Sequence, residues 1–247
     1  MVTAAPQDQW RLLDVQAHDT RLAQLAHRRR TLPEHAEVDA LQQRLRSLAD
    51  SLVAARTVAG DVQRELAKAE ADVELVRTRA ERDRTRLASG QGTAKDLQAL
   101  QHELETLGRR QSVLEDVELE VMERLEVAQG RVDSVTAEQD SVEQELAEVV
   151  RRRDAALAGL DDEVAGEGRA RADAAAGLPA DLLALYEKVR EKSGGLGAVR
   201  LQHRRCQGCR LEMTPVDLAR IRSAAENAVV RCEECARILV RTADSGL

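Results

Sequence analysis

From Val38 onward the apolar residues keep an alternating three- and four-residue step: Val38, Leu41, Leu45, Leu48, Leu52, Ala55, Ala59, Val62, Leu66, Ala69, Val73, Val76 and Ala80. The pattern stops at Ser89-Gly90-Gln91-Gly92 and then restarts. It runs through Leu97, Leu100, Leu104, Leu107, Leu114, Val121, Leu125, Ala128, Val132, Val135, Val142, Leu146, Val149, Ala156 and Leu160, with Gln111, Glu118, Gln139 and Arg153 on the polar beats. A 3.5-residue period held this long specifies a left-handed coiled coil, because only supercoiling keeps such a stripe on one partner. The glycine-rich break, with Thr93 as N-cap and Asp96 three residues on, predicts a reversal between two helices. The expected architecture is mostly α: a long antiparallel coiled-coil helical hairpin. A parallel dimer through the same stripes is the alternative, against which the short glycine turn argues.

Before the stripe, Trp10, Leu12, Leu13, Val15, Leu22 and Leu25 predict a first helix over about 8–31, ended by Leu32-Pro33. Beyond it, Asp161-Asp162-Glu163, Gly166 and Gly168 predict a loosened stretch of helix, and Gly177-Leu178-Pro179 its end. Ala180 to Lys192 reads as a short amphipathic helix, Ser193 to Gly197 as a linker, and Ala198 to Leu201 as a strand. The divisions expected are 1–177 for the hairpin, with its tip near 89–93 and a bend near 33, then 178–197 for the short helix and linker, then 198–247 for a small β-rich module.

Composition agrees with a rod. The chain of 247 residues has no Phe, one Trp and one Tyr, and a third of it is charged, so Leu, Val and Ala carry the burial. No apolar run approaches the length of a membrane span, and no basic and apolar leader opens the sequence, so the expected setting is cytoplasmic, with no membrane partner.

The chemistry sits in the last module. Cys206-Gln207-Gly208-Cys209 and Cys232-Glu233-Glu234-Cys235 are two CxxC pairs separated by 22 residues. Two thiolates at this spacing grip one ion from a tight knuckle, and two knuckles complete a tetrahedral site. The expected cofactor is one structural Zn2+ on Cys206, Cys209, Cys232 and Cys235. Disulfides or a redox pair would need an oxidising compartment or a βαβ frame, and neither is in evidence. Four thiolates leave no position open for substrate, and no nucleophile–base pair accompanies them, so no enzyme activity is expected. Gly208 reads as the left-handed residue of the first knuckle. Thr214-Pro215 starts a helix, and Val229 to Arg231 with Ile238 to Val240 reads as a hairpin carrying the second knuckle.

Net charge is −7, but from Gly194 onward nine arginines oppose six carboxylates. Arg200, Arg204, Arg205, Arg210, Arg231 and Arg237 are candidate contacts for an anionic partner, RNA or DNA included. The absence of aromatics there removes any base-stacking platform. His203 reads as an exposed strand histidine, with a role beside the zinc as the minor alternative. The remaining histidines, and the acidic run at 161–163, read as solvated helix faces. Trp10 and Tyr186 are placed together at the open end of the hairpin.

Several segments carry a resemblance: Lys95 to Glu103, Leu182 to Lys188, Gly194 to Val199, Cys206 to Cys209, and Cys232 to Leu239. Along essentially its whole length the chain resembles the bacterial C4-type zinc-ribbon, coiled-coil family. It departs where Glu233-Glu234 replace the family's Pro and Asn, Ala236 a Gly, and Val240 an aromatic. The resemblance implies a zinc ribbon at the open end of the hairpin and no enzymatic activity. It also implies adaptor or chaperone-like roles that hold transcription or secretion components, with RNA binding in some members. The expected function is therefore a zinc-binding scaffold for protein partners, as a monomer or weak dimer, with nucleic-acid binding through the ribbon as the alternative.

Overall fold

Ala, Leu, Glu and Arg dominate the two longest segments without an interior proline, and both are continuous helices. In the computed structural model, which describes residues 2–247, α1 spans Pro6–Arg30, α2 Pro33–Ser89 and α3 Ala94–Ala175, followed by α4 at Ala180–Lys192. The loosened stretch expected at 161–168 is regular helix within α3. Gly90 and Gly92 take φ of 62° and 132°, conformations open to a residue without Cβ. Thr93 and Asp96 close the capping box: the Asp96 carboxylate accepts from the Thr93 amide at 3.0 Å, and Thr93 Oγ1 accepts from the Asp96 amide at 3.3 Å. The Thr93 hydroxyl, which donates to the carboxylate at 2.7 Å, and then the Thr93 amide hold the Asp96 carboxyl below its ordinary pKa.

The chain forms two compact units, Ala36–Val150 and Met1–His35 with Arg151–Leu247. In the first of these, Val62 and Leu66 pack with Val121 and Leu125, and Val76 and Ala80 pack with Leu107. Those contacts join the two stripes within one chain, so the hairpin rather than a parallel dimer accounts for the heptads. Ion pairs Arg44–Glu138 (2.8 Å), Glu65–Arg124 (2.9 Å) and Arg77–Glu115 (2.6 Å) flank the seam. All are exposed and contribute little individually.

The other unit surrounds a four-stranded sheet of order β2-β1-β4-β3, with β1 at Ala198–Gln202, β2 at Arg205–Cys206, β3 at Val230–Arg231 and β4 at Ile238–Val240. Between β2 and β3 lies α5, Pro215–Ser223, whose N-cap Thr214 accepts from the Asp217 amide at 3.1 Å. β3 and β4 are antiparallel, as their hairpin requires, whereas β1 joins β4 in parallel. Successive strand residues point to opposite faces, and here both faces are covered. Ala198, Ile238 and Val240 pack on Leu12 and Val15 of α1 and Leu182, Tyr186 and Val189 of α4. Val199, Leu201 and Leu239 pack on Met213, Ile221 and the cysteines.

Candidate metal centre

Each cysteine pair builds the same turn. The Cys206 amide donates to Leu211 O at 3.0 Å and the Cys232 amide to Arg237 O at 2.9 Å. The residue after each pair, Arg210 or Ala236, donates back to the first cysteine's carbonyl at 2.7 and 2.9 Å. Arg210 (φ 64°) and Ala236 (φ 61°) are the left-handed residues, not Gly208. Gly208 serves a different need. A Cβ there would lie 2.6 Å from Arg237 Cδ, so glycine is what lets the Arg237 side chain cross the first knuckle.

The four sulfur atoms lie within 4.8 Å of one another. Cys206 and Cys235 are separated by 3.7 Å, and Cys209 and Cys232 by 3.9 Å. Sulfurs at about 2.3 Å from a tetrahedral ion stand about 3.8 Å apart, so the donor set fits zinc. All four are free thiols, and these separations far exceed an S–S bond of about 2.05 Å.

Burial pushes the Cys206 thiol up to about 12 and raises Cys232, against the amides of Gly208 and Cys209 on one sulfur and of Glu234 and Cys235 on the other. Burial also opposes the Cys235 thiolate, but the Arg237 amide and guanidinium and the neighbouring thiols outweigh it and bring the group to about 7. A divalent cation supplies the charge that holds all four as thiolates together. Among the described residues no histidine or carboxylate joins the cluster. His203 is exposed in the β1–β2 turn instead, at φ 45°.

Two matches decide the family. Residues 15–194 match the CT398-like coiled coil hairpin domain, and residues 205–239 match the C4-type zinc ribbon domain. The chain belongs to the CT398-like hairpin family. It is 39% identical over 230 residues to an uncharacterised protein of Mycobacterium tuberculosis, covering 93% of this chain and 94% of that one. A relative from Mycobacterium leprae is 34% identical over 224 residues, 89% of this chain and 94% of that one. A solved structure from Mycobacterium smegmatis superposes with a TM-score of 0.85 at 38% identity, covering 98% of this chain and all of that one. CT398 from Chlamydia trachomatis shares the fold at a TM-score of 0.66 and 16% identity, over 96% and 98% of the two chains. As in the family's zinc ribbon, the centre of this hairpin protein is one structural zinc held by four cysteines.

The arginines proposed from sequence are not equivalent. Arg237 donates to Leu196 O at 3.2 Å and to Ser193 O at 2.9 Å, tying the second knuckle to the linker. Arg231 donates to Ala236 O at 2.8 Å. Arg204 donates to Gly246 O at 3.2 Å, and Arg205 lies 3.9 Å from Glu212. Arg200 and Arg210 are exposed.

Several residues play parts here that the sequence does not assign them. Arg241 donates to the carbonyls of Ile221, Ala224, Ala225, Glu226 and Ala228, closing the end of α5 and the loop after it. Trp10 donates from its indole to Arg241 O at 2.8 Å, and the Ala4 amide donates to Asn227 O at 2.8 Å, so the N-terminal segment is stitched to the ribbon. Tyr186 is fully buried and hydrogen-bonds Asp19 and Gln16, whereas Trp10 is half exposed and reaches the ribbon. The acidic run makes cross-helix pairs: Asp161 with Arg29 at 2.8 Å and Glu163 with Arg21 at 3.1 Å. His18 contacts Glu167 at 2.7 Å.

Proposed function

We propose that this protein is a non-enzymatic, cytoplasmic adaptor whose coiled coil binds protein partners. The observation that carries this reading is the set of large apolar side chains left exposed on the charged helices of residues 36–150, among them Val53, Leu75, Leu119 and Met122. Exposed apolar groups rimmed by charge are the usual chemistry of a docking surface. The ribbon, by contrast, spends both faces of its sheet on its own unit, and its metal has no position open for a substrate. The family resemblance supports clients among transcription or secretion components, handled in a chaperone-like way.

The test is a crosslinked pull-down from native lysate with the full chain, set against Leu75→Glu and the pair Leu119→Glu, Met122→Glu. Partners recovered by the wild type and lost by these folded variants support the adaptor reading. Recovery unaffected by any of them removes the coiled coil as the binding element.

Nucleic-acid binding through the ribbon is the second reading, favoured by the exposure of Arg200, Arg204, Arg205 and Arg210. It requires affinity that falls steeply with salt and with Arg204→Glu, Arg205→Glu. Arg231 and Arg237, turned to backbone carbonyls, would contribute less.

A further inference from the structure

Along α3 a second stripe runs one residue ahead of the core beats: Val113, Val117, Glu120, Arg124, Val127 and Arg131. At 100° per residue these six fall on one narrow face, beside the seam that packs on α2. Val113, Val117 and Val127 are 62%, 43% and 75% exposed. On α2 the position one ahead of Ala59 is Val58, which is 55% exposed. Val58 lines a groove of about 550 Å³ together with Val62, Glu120, Arg124, Val127 and Arg131. The Glu65–Arg124 pair at 2.9 Å crosses this same flank of the hairpin.

We propose that this flank binds the same flank of a second copy of the chain, antiparallel, to make a four-helix bundle over residues 113–131. The argument for a second copy is the symmetry of the stripe. A two-fold axis at the level of residue 122 sets Val117 against the partner's Val127 and Glu120 against the partner's Arg124, and each contact occurs twice. Val113 then meets the alkyl stem of the partner's Arg131. Apolar groups stand on apolar groups along α3, and Arg124, already held by Glu65 of its own chain, is shared with the partner's Glu120, which is the self-complementarity an isologous interface demands. An unrelated amphipathic helix would be better served by an unbroken apolar stripe, without Glu120 and Arg124 at its middle. The seam is about 27 Å long.

The test is sedimentation velocity on the zinc-loaded full chain across a wide concentration range. The expected result is a reversible monomer–dimer equilibrium. Val117→Glu and Val127→Glu, both at exposed positions, each weaken it by about tenfold or more while the helical circular dichroism is unchanged. Glu120→Arg weakens it by a comparable factor, and the combined Glu120→Arg, Arg124→Glu, Glu65→Arg variant, which reverses the intrachain pair along with the intermolecular one, recovers the wild-type constant. A monomer at every concentration overturns the proposal. So does a dimer indifferent to Val127→Glu, a dimer lost instead with Leu119→Glu on the opposite flank, or a charge swap that restores nothing.

Discussion

The hydroxyl of buried Tyr186 donates to Oδ2 of Asp19 at 2.7 Å, joining α4 to α1 beneath the zinc-ribbon sheet. Asp19 also takes Nε of Arg171 at 2.9 Å and lies 3.6 Å from Arg190. Beside it, Gln16 Oε1 accepts the Gly197 amide at 2.6 Å and Gln16 Nε2 donates to Gly195 O at 3.0 Å. A polar network thus fastens the linker and its ribbon to the first helix. Removing the hydroxyl in Tyr186→Phe should cost about 1–2 kcal/mol, measured by denaturant unfolding.

The same pair sets a pH dependence. Burial opposes ionisation of Asp19, but the hydrogen bonds of Arg171 and Tyr186 and the charges of Arg171 and Arg190 outweigh it and hold its pKa below the ordinary value. A depressed carboxyl stabilises the fold above its unfolded pKa of about 4 and loses that contribution as pH falls through the folded value. Burial, then Asp19, raises the Tyr186 pKa. Its contribution is present below about pH 10 and disappears as pH rises further. Stability against pH should accordingly fall less steeply on the acid side in Asp19→Asn than in the wild type. An acid limb of unchanged slope would show that Asp19 does not carry it.

Gly197 and Gly194 should respond differently to alanine. A Cβ on Gly197 would sit 2.7 Å from the Tyr186 ring and 2.9 Å from its carbonyl oxygen, whereas Gly194 faces open space and has only its φ of +65° to protect. Gly197→Ala should destabilise by about 1–3 kcal/mol through overpacking, and Gly194→Ala by about 1 kcal/mol through backbone strain alone. Thermal unfolding of the two variants side by side checks the order.

Ala236 occupies a left-handed position in the second knuckle, at φ 61°. An L-residue pays about 1–2 kcal/mol for that conformation and glycine pays none of it. Ala236→Gly should therefore raise the unfolding midpoint of the ribbon without changing zinc stoichiometry, as read by metal analysis and hydrogen exchange.

Chelation should act locally. Withdrawing zinc, or changing Cys206 or Cys232 to Ser, removes the tie between β2 and β3 that four sulfurs provide. Amide protection over 205–239 should be lost while the far-ultraviolet helical signal is largely kept. Complete loss of helix on chelation would contradict this division of labour.

The ends of α3 and α4 were legible from residues alone because glycine, proline and capping groups act locally: Gly92 and Thr93 start α3, and Gly177 to Pro179 separates it from α4. The metal ligands were legible because two CxxC pairs carry their geometry in their spacing. The parallel union of β1 with β4 was not, although the unbroken apolar run Ile238-Leu239-Val240 is what a strand buried on both faces requires. Gln16 and Asp19 carry no signal in the sequence, since nothing in a helical period says which polar side chain will meet a distant backbone. The basic tail shows the same limit. Arg237 and Arg241 counted as free charge in the sequence, yet one crosses Gly208 to the linker and the other closes the end of α5.

The sequence by itself determined the heptad register, the reversal at the glycines and the four-thiol metal set, because each is a property of spacing over a few residues. Only the tertiary structure decided that the ribbon sheet would be enclosed on both faces, that Tyr186 would find Asp19, and which arginines would remain exposed. Those outcomes depend on pairings beyond the reach of a local pattern, 167 residues apart for Tyr186 and Asp19 and 44 for Arg237 and Ser193, where burial and hydrogen-bond satisfaction choose among partners that local pattern leaves equal.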